Sequence, residues 1–231
     1  LEEGASPKER GNEASVEFVE TDYHTRTGAL VGQQGYACLE FGVPKWTAPE
    51  RATLVLISKY LETRLFEELR TELGLSYDPA VSISDFGQFS TLMLDASTAT
   101  DNLDKAMEVM EALVEDIRNK GVPEIELDQL RQSKLYRIAA SYESNSSVAD
   151  FYETNLLRWQ LDGAFPDLDA FYADVTTQDT IAVARQYLIP ERALRYTSRP
   201  TFSYGGFAGL AAVPLLGMAA FRVRRRQKKK D

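Results

Sequence analysis

A long amphipathic helix with clear start and stop signals is the feature that most constrains the fold of this chain. Thr47 is placed to cap the helix, Pro49 fits its first turn, and Glu50 completes a capping box. Gly74 supplies the left-handed residue that ends such a helix. Between these signals, apolar residues recur at spacings of three and four, which predicts one buried face made of Leu54, Ile57, Leu61, Leu65, Leu69 and Leu73.

Segments with strand character lie on both sides of this helix. The run from Val16 to Val43 has extended character, and Pro44 ends it. Two further strands are predicted at residues 76–84 and 88–96, with a turn at 85–87 between them. Helices are predicted at 103–120, from 123 onward, and at 151–161, 167–172 and 176–188. A closing strand is predicted at 192–197. Strands clustered around long amphipathic helices predict an α+β domain, in which long helices pack on one face of a mixed or antiparallel sheet.

The charge of the chain is unevenly distributed. The formal net charge is -9, yet seven of the 26 basic side chains lie in residues 222–231, and 34 of the 35 acidic ones precede that segment. Phosphate binding requires a basic face, so the acidic body argues against nucleic acid as a partner. Acidity is compatible with the capture of basic or unfolded peptides, although it is mostly a property that favours solubility.

The two ends of the chain differ from the part between them. Residues 1–14 have the composition of a flexible linker, and residues 15–200 are expected to form the folded domain. Residues 204–221 carry no charge over 18 positions and precede the basic run 222–231. A membrane-spanning helix needs about 20 apolar residues, with a lower limit of about 17. We therefore predict a transmembrane helix at 204–221, with a cytoplasmic basic tail and an extracytoplasmic domain at the periplasm or cell surface.

Two other interpretations of this tail stay open. A buried C-terminal helix with a solvated basic end would have the same pattern. Small residues, a short apolar helix and an arginine cluster also resemble the sorting tails of some bacterial surface proteins, which are cleaved after export. Processing would then occur near Gly205 and Gly206.

Histidine and cysteine are too scarce for a metal or thiol site. His24 is the only histidine, and its polar surroundings predict a solvated loop or strand residue. Cys38 is the only cysteine, and its alternating surroundings predict a small buried residue rather than a nucleophile. We therefore expect no catalytic residue, metal ligand or bound cofactor in this chain.

A run of linked motifs follows the long helix. Arg64-Leu65-Phe66, Leu69-Arg70 and Gly74-Leu75-Ser76-Tyr77 lie at fixed spacings, and Gly121-Val122-Pro123-Glu124 joins the next two helices. With the stretch Ser141–Ser144, these motifs resemble the pitrilysin/insulinase family of zinc metallopeptidases over residues 28–200. The resemblance implies the mitochondrial-processing-peptidase-like metallohydrolase fold. It is specifically the zinc-free, C-terminal-type domain that this chain resembles.

The resemblance also implies a division of labour between two halves around a chamber. One half carries the motif H-x-x-E-H and a distal Glu, which bind Zn²⁺ and activate water. The other half supplies an Arg and a Tyr seven residues apart that hold the peptide near the scissile bond. Arg70 and Tyr77 match that pair, whereas a single histidine cannot supply the zinc motif.

A guanidinium and a phenol are suited to this role because both donate hydrogen bonds to carbonyl oxygens or to a developing oxyanion. The alternative is that Arg70 only caps its helix while Tyr77 packs in the core. Pro79 lacks a backbone donor, so the strand after Tyr77 should be an edge strand or contain a bulge.

Three functional hypotheses follow. The first is the non-catalytic, substrate-binding half of a zinc metalloendopeptidase, with peptide as substrate. Its partner would be a zinc-bearing homologous domain upstream or a separate subunit. The second is an inactive scaffold in a membrane complex. The third is a stand-alone peptide-binding module.

Overall fold

A five-stranded mixed sheet is the centre of the part of the chain that the structure describes. The computed structural model describes residues 17–26, 29–44, 46–86, 89–141, 143–162, 168–204, 206 and 209. The strands have the spatial order β1-β5-β2-β4-β3. Only β1 and β5 pair in parallel within this sheet, and the other neighbours are antiparallel. The strands are β1 (Thr21–Arg26), β2 (Gln34–Pro44), β3 (Ala80–Asp85), β4 (Phe89–Ala99) and β5 (Ala193–Arg199).

Helices pack on one face of this sheet. The described helices are α1 (Ala48–Phe66), α2 (Leu103–Lys120), α3 (Glu124–Ser141), α4 (Asn145–Asp162), α5 (Leu168–Ala173) and α6 (Thr177–Tyr187). Of these, α1, α2 and α6 contact the sheet, and α3 and α5 pack against α1; we call these five the helix layer. Thr47 and Glu50 form the predicted capping box at the start of α1. A second capping box, formed by Thr176 and Asp179, starts α6. These reciprocal bonds satisfy backbone N–H groups that the first turn of a helix leaves without partners.

Alternation along the central strands separates the two faces of the sheet. In β2, Ala37, Leu39, Phe41 and Val43 belong to the core that the helices cover. In β4, the corresponding core positions are Leu92, Leu94 and Ala96. Because side chains alternate along a strand, the residues between them lie on the opposite face. We call that second face, which carries Tyr36, Cys38, Glu40, Asp95 and Tyr196, the open face. The predicted α+β architecture is confirmed.

The end of the long helix differs from its prediction. The α-helix ends at Phe66, and residues Glu67–Glu72 continue as a π-helix. A π turn contains more residues than an α turn, so it rotates the following side chains around the axis. Leu73, predicted on the buried face, is therefore 43% exposed, whereas Leu65 and Leu69 are fully buried.

The predicted terminal segments lie largely outside the described residues. This holds for the linker 1–14, for the basic segment 222–231 and for residues 204–221 apart from Tyr204, Gly206 and Gly209. Within the described ranges, no helix combines the length and the apolar character that crossing a bilayer requires. The membrane span at 204–221 stays a prediction.

Candidate functional site

The junction between α1 and β3 places the predicted pair of side chains. The Leu73 N–H donates to the Glu68 carbonyl at 3.0 Å, the five-residue spacing of a π turn. Gly74 follows with a φ of 62°, and the N–H groups of Leu75 and Ser76 both donate to the Leu69 carbonyl, at 2.7 and 3.1 Å. The left-handed glycine and these bonds end the helix and turn the chain toward the sheet.

Tyr77 is an exposed side chain in the segment before β3. Ser76 forms an antiparallel bridge with Thr98, whose hydroxyl donates to the Leu75 carbonyl at 2.6 Å. Ser76 is 6% exposed, but Tyr77 is 79% exposed. The Tyr77 side chain therefore lies at the surface, at the end of the helix, and not in the core. The alternative that Tyr77 packs in the core is wrong.

The prediction drawn from Pro79 is confirmed. β3 is an edge strand and begins immediately after this proline, at Ala80. Ser76 pairs with Thr98 and Ala80 pairs with Asp95, so the β3 side has one more residue than β4 between the two pairings. One extra residue is the definition of a bulge, and a proline is tolerated there because no ladder bond needs its missing N–H.

Arg70 lies against two aromatic rings. Its guanidinium carbon is 4.4 Å from the ring centroid of Tyr77 and 4.9 Å from that of Phe66. Both distances are in the range of cation–π contacts. Within the described ranges the structure shows no ion pair and no hydrogen bond from the Arg70 guanidinium, so its role is not to cap the carbonyls of its helix. Sequence reasoning did not single out Phe66, although its position one helical turn before Arg70 could have indicated the contact.

The open face contains a second group of polar side chains. Tyr36 and Cys38 of β2 lie close to the half-buried Asp95 of β4. Burial, followed by the negative charges of Glu40 and Asp95, raises the pKa of Cys38 to about 12. Burial and Asp95 also raise the pKa of Tyr36 well above its ordinary value. Burial raises the pKa of Asp95, and the charge of Asp78 adds to it.

This group was not predicted beyond Cys38, whose burial is confirmed at 4% exposure. The alternation of β2 places Tyr36, Cys38 and Glu40 on one face, which the sequence alone could have indicated. Asp95 joins them only because β2 and β4 pair, with Cys38 opposite Asp95.

The described residues do not fit a zinc site. His24 is an exposed residue of β1, in agreement with its predicted solvated position, and its Nδ1 is 2.6 Å from the Thr197 hydroxyl on β5. In the part of the chain that the structure describes, no three or more His, Cys, Asp or Glu side chains are grouped so that they could hold a metal ion. Since the full sequence has one histidine, no step of zinc chemistry is assigned to this chain.

A sequence comparison identifies the family. The model of the family described as the peptidase M16 inactive domain matches residues 2–134 of the 231-residue chain. The chain belongs to this family. The resemblance to zinc-free domains of pitrilysin/insulinase-type peptidases, drawn from the motifs around Arg70, is thereby confirmed. The helix end, the Arg70–Tyr77 contact and the bulge at Pro79 all lie inside the matched region of this M16 inactive domain.

Several similar proteins are longer than this M16 inactive domain. The chloroplastic stromal processing peptidase of Pisum sativum is 24% identical over 148 aligned residues, and the match covers 62% of this chain and 12% of that protein. A protease from Helicobacter pylori superposes with a TM-score of 0.69 at 19% identity, covering 78% of this chain and 44% of that chain. The peptidase M16 inactive domain from Pseudomonas fluorescens has a TM-score of 0.65 at 17% identity, covering 81% and 45%. The solved structures thus support the fold.

Proposed function

We propose that this M16 inactive domain is the non-catalytic, substrate-binding half of a zinc metalloendopeptidase. The observation that carries the proposal is the contact between Arg70 and Tyr77, which presents a guanidinium and a phenol together at the surface, where α1 leads into β3. The zinc site belongs to a homologous domain of the same polypeptide or to a separate subunit, since this chain lacks the histidines for it.

The two side chains act by donating hydrogen bonds to the peptide. The Tyr77 ring lies under the Arg70 guanidinium and restricts its orientation, so fewer conformations are lost when a peptide carbonyl binds. The ring of Phe66 also contacts the Arg70 guanidinium and restricts its orientation in the same way. Donors fixed before the reaction stabilise negative charge on a carbonyl oxygen better than mobile donors do. When bound in the partner half, zinc would supply the activated water that attacks the peptide bond.

The substrate is a polypeptide in an extended or unfolded segment. Support comes from the relatives: the pea protein is a processing peptidase, and the FusC protease, solved in complex with Arabidopsis ferredoxin, covers 78% of this chain at a TM-score of 0.62. The acidic character of residues 1–221 favours the binding of basic rather than acidic substrate segments.

The proposal includes attachment to a membrane through residues 204–221, with residues 222–231 in the cytoplasm and the domain outside it. The uncharged stretch followed by seven basic side chains supports this orientation. Protease added to intact cells should digest the domain of a full-length, epitope-tagged chain and spare a tag after Asp231. Protection of the domain would contradict this orientation.

Two variants in the complete two-half enzyme test the substrate-binding role. Tyr77→Phe removes one hydroxyl and keeps the ring under Arg70; Arg70→Met removes the charged donors and keeps an apolar stem. By analogy with a lost oxyanion donor, each should lower kcat/KM for peptide hydrolysis by about 10²–10³-fold. Circular dichroism should stay unchanged because both side chains lie at the surface.

Tyr136→Phe is the matched control, since Tyr136 is 76% exposed on α3 in the helix layer. It should hydrolyse peptide at the wild-type rate. Wild-type kcat/KM in both Tyr77→Phe and Arg70→Met would contradict the proposed role and favour the scaffold hypothesis.

A further inference from the structure

A small cavity between α1 and α3, in the helix layer, is lined by an unusual concentration of positive charge. Its volume is about 140 Å³, and Lys59, Lys134 and Arg137 line it, together with one acid, Glu62. Hydroxyl-bearing side chains and an apolar floor complete the lining: Thr63, Ser133, Val55, Leu56 and Leu130. The cations are notable because the chain as a whole carries a net charge of -9.

The single acid of the cavity is already engaged. The Lys59 ammonium lies 2.6 Å from a Glu62 carboxylate oxygen, as an ion pair one helical turn apart. This pair leaves the charges of Lys134 and Arg137 uncompensated by any carboxylate that lines the cavity. For both cations, the described residues contain no ion-pair partner within 4.0 Å.

Lys134 is the key group because it is partly buried among like charges. Its ammonium lies 5.1 Å from the ring centroid of Tyr172 on α5, a contact that compensates only part of the lost hydration. Burial lowers the pKa of Lys134, and the neighbouring charges of Arg137, Arg51 and Lys59 lower it further. A half-buried cation without an ion-pair partner among the described residues is costly for folding unless an anion joins it.

We infer that the cavity between α1 and α3 binds a small oxyanion, either free phosphate or the phosphate group of a phosphomonoester. Two ammonium groups and a guanidinium supply charged donors, and the Ser133 hydroxyl can add a neutral one, whereas the Thr63 hydroxyl already donates to the Lys59 carbonyl at 3.1 Å. The cavity is large enough for one such group, and neither Arg70 nor Tyr77 lines it. The proposal is therefore independent of the peptide-binding role of Arg70 and Tyr77.

The test measures the thermal stability of the full chain against inorganic phosphate, with chloride at equal ionic strength as the reference. Binding to the folded state alone should raise Tm by about 3–5 °C at a tenfold excess over Kd, and Tm should then keep rising with the logarithm of the phosphate concentration. Lys134→Met keeps the stem of the side chain and removes its charge. It should fold with unchanged or higher Tm and bind phosphate at least about tenfold more weakly, the effect of one lost charged hydrogen bond.

Lys105→Met is the matched control because Lys105 is an exposed lysine of α2 with one surface ion pair, to Glu108. It removes the same formal charge far from the cavity and should keep the wild-type response. A phosphate response equal to that of chloride, or a wild-type response in Lys134→Met, would overturn the inference. Phosphoserine added in place of phosphate identifies the source: tighter binding of phosphoserine supports a phosphorylated segment, and binding of phosphate alone supports the free ion.

Discussion

Replacing Thr180 by valine should destabilise the fold more than its small change in size suggests. The Thr180 side chain on α6 is fully buried, and its hydroxyl accepts the backbone N–H of Val122 at 3.0 Å. The same hydroxyl donates to the Thr177 carbonyl at 2.6 Å. Val122 lies in the turn between α2 and α3 and is itself fully buried. Thr180 thus connects that turn to α6.

The expected loss of stability depends on the buried polar groups that Thr180→Val would leave without a hydrogen-bond partner. A neutral hydrogen bond contributes about 1 kcal/mol net, and a buried donor left without a partner costs about 1–3 kcal/mol. The Val122 N–H would become such a donor, while the Thr177 carbonyl loses one of its partners. We therefore expect Thr180→Val to lower the free energy of unfolding by about 2–3 kcal/mol.

Thr53→Val provides the comparison. Thr53 is equally buried, at 3% exposure, but its hydroxyl only donates to the Pro49 carbonyl within α1, which also accepts a backbone N–H of the helix. Thr53→Val should therefore lower the free energy of unfolding by less than about 1 kcal/mol. Urea unfolding monitored by circular dichroism measures both variants, with an unchanged m-value as the sign that the unfolded state is the same. A cost for Thr180→Val no larger than that for Thr53→Val would refute the reasoning.

Three further substitutions and one reactivity measurement test other parts of the structure. Gly121 has a φ of 72°, and a Cβ there would lie 2.8 Å from the Thr177 carbonyl oxygen, so Gly121→Ala should lower the free energy of unfolding by about 3 kcal/mol. Gly74 has a φ of 62° but open space around it, so Gly74→Ala should lower it by about 1 kcal/mol. Urea unfolding measures both variants. The Cys38 thiol, with a pKa raised to about 12, should resist a thiol reagent at about pH 8 and react at once in denaturant. The pKa of Asp95 is raised by burial, so folding favours its protonated form, and the resulting stability is lost as pH rises through the folded pKa. Asp95→Asn should therefore raise the free energy of unfolding at about pH 8 and leave it unchanged at about pH 3; equal effects at both pH values would contradict this.

Local signals predicted the elements of the fold well. The capping box at Thr47 and the leucine spacing located the start and the buried face of α1, because both depend on residues within a few positions of each other. Pro79 predicted an edge strand with a bulge for the same reason. The spatial order β1-β5-β2-β4-β3 could not be obtained in this way, because the pairing of β1 with β5 joins residues more than 170 positions apart.

The candidate site was predictable in part. The spacing of Arg70 and Tyr77 indicated two donors on neighbouring elements, but their mutual contact depends on how the helix ends. The group around Asp95 depends on the register between β2 and β4, which no local pattern of either strand determines. The cavity at Lys134 depends in the same way on the packing of α3 against α1.

The π turn at residues Glu67–Glu72 connects the core of this domain to its proposed function. The leucine stripe anchors α1 through Leu65 and Leu69, which are fully buried and cannot rotate outward without loss of packing. An uninterrupted α-helix anchored at these residues would also bury Leu73, and each residue would advance by about 100° around the axis. The wider π turn rotates the residues after it around the helix axis, so Leu73 is 43% exposed. The Leu69 carbonyl accepts hydrogen bonds from the N–H groups of Leu75 and Ser76, which lead into Tyr77. The contact between Arg70 and Tyr77 therefore depends on backbone geometry as well as on the two residue types.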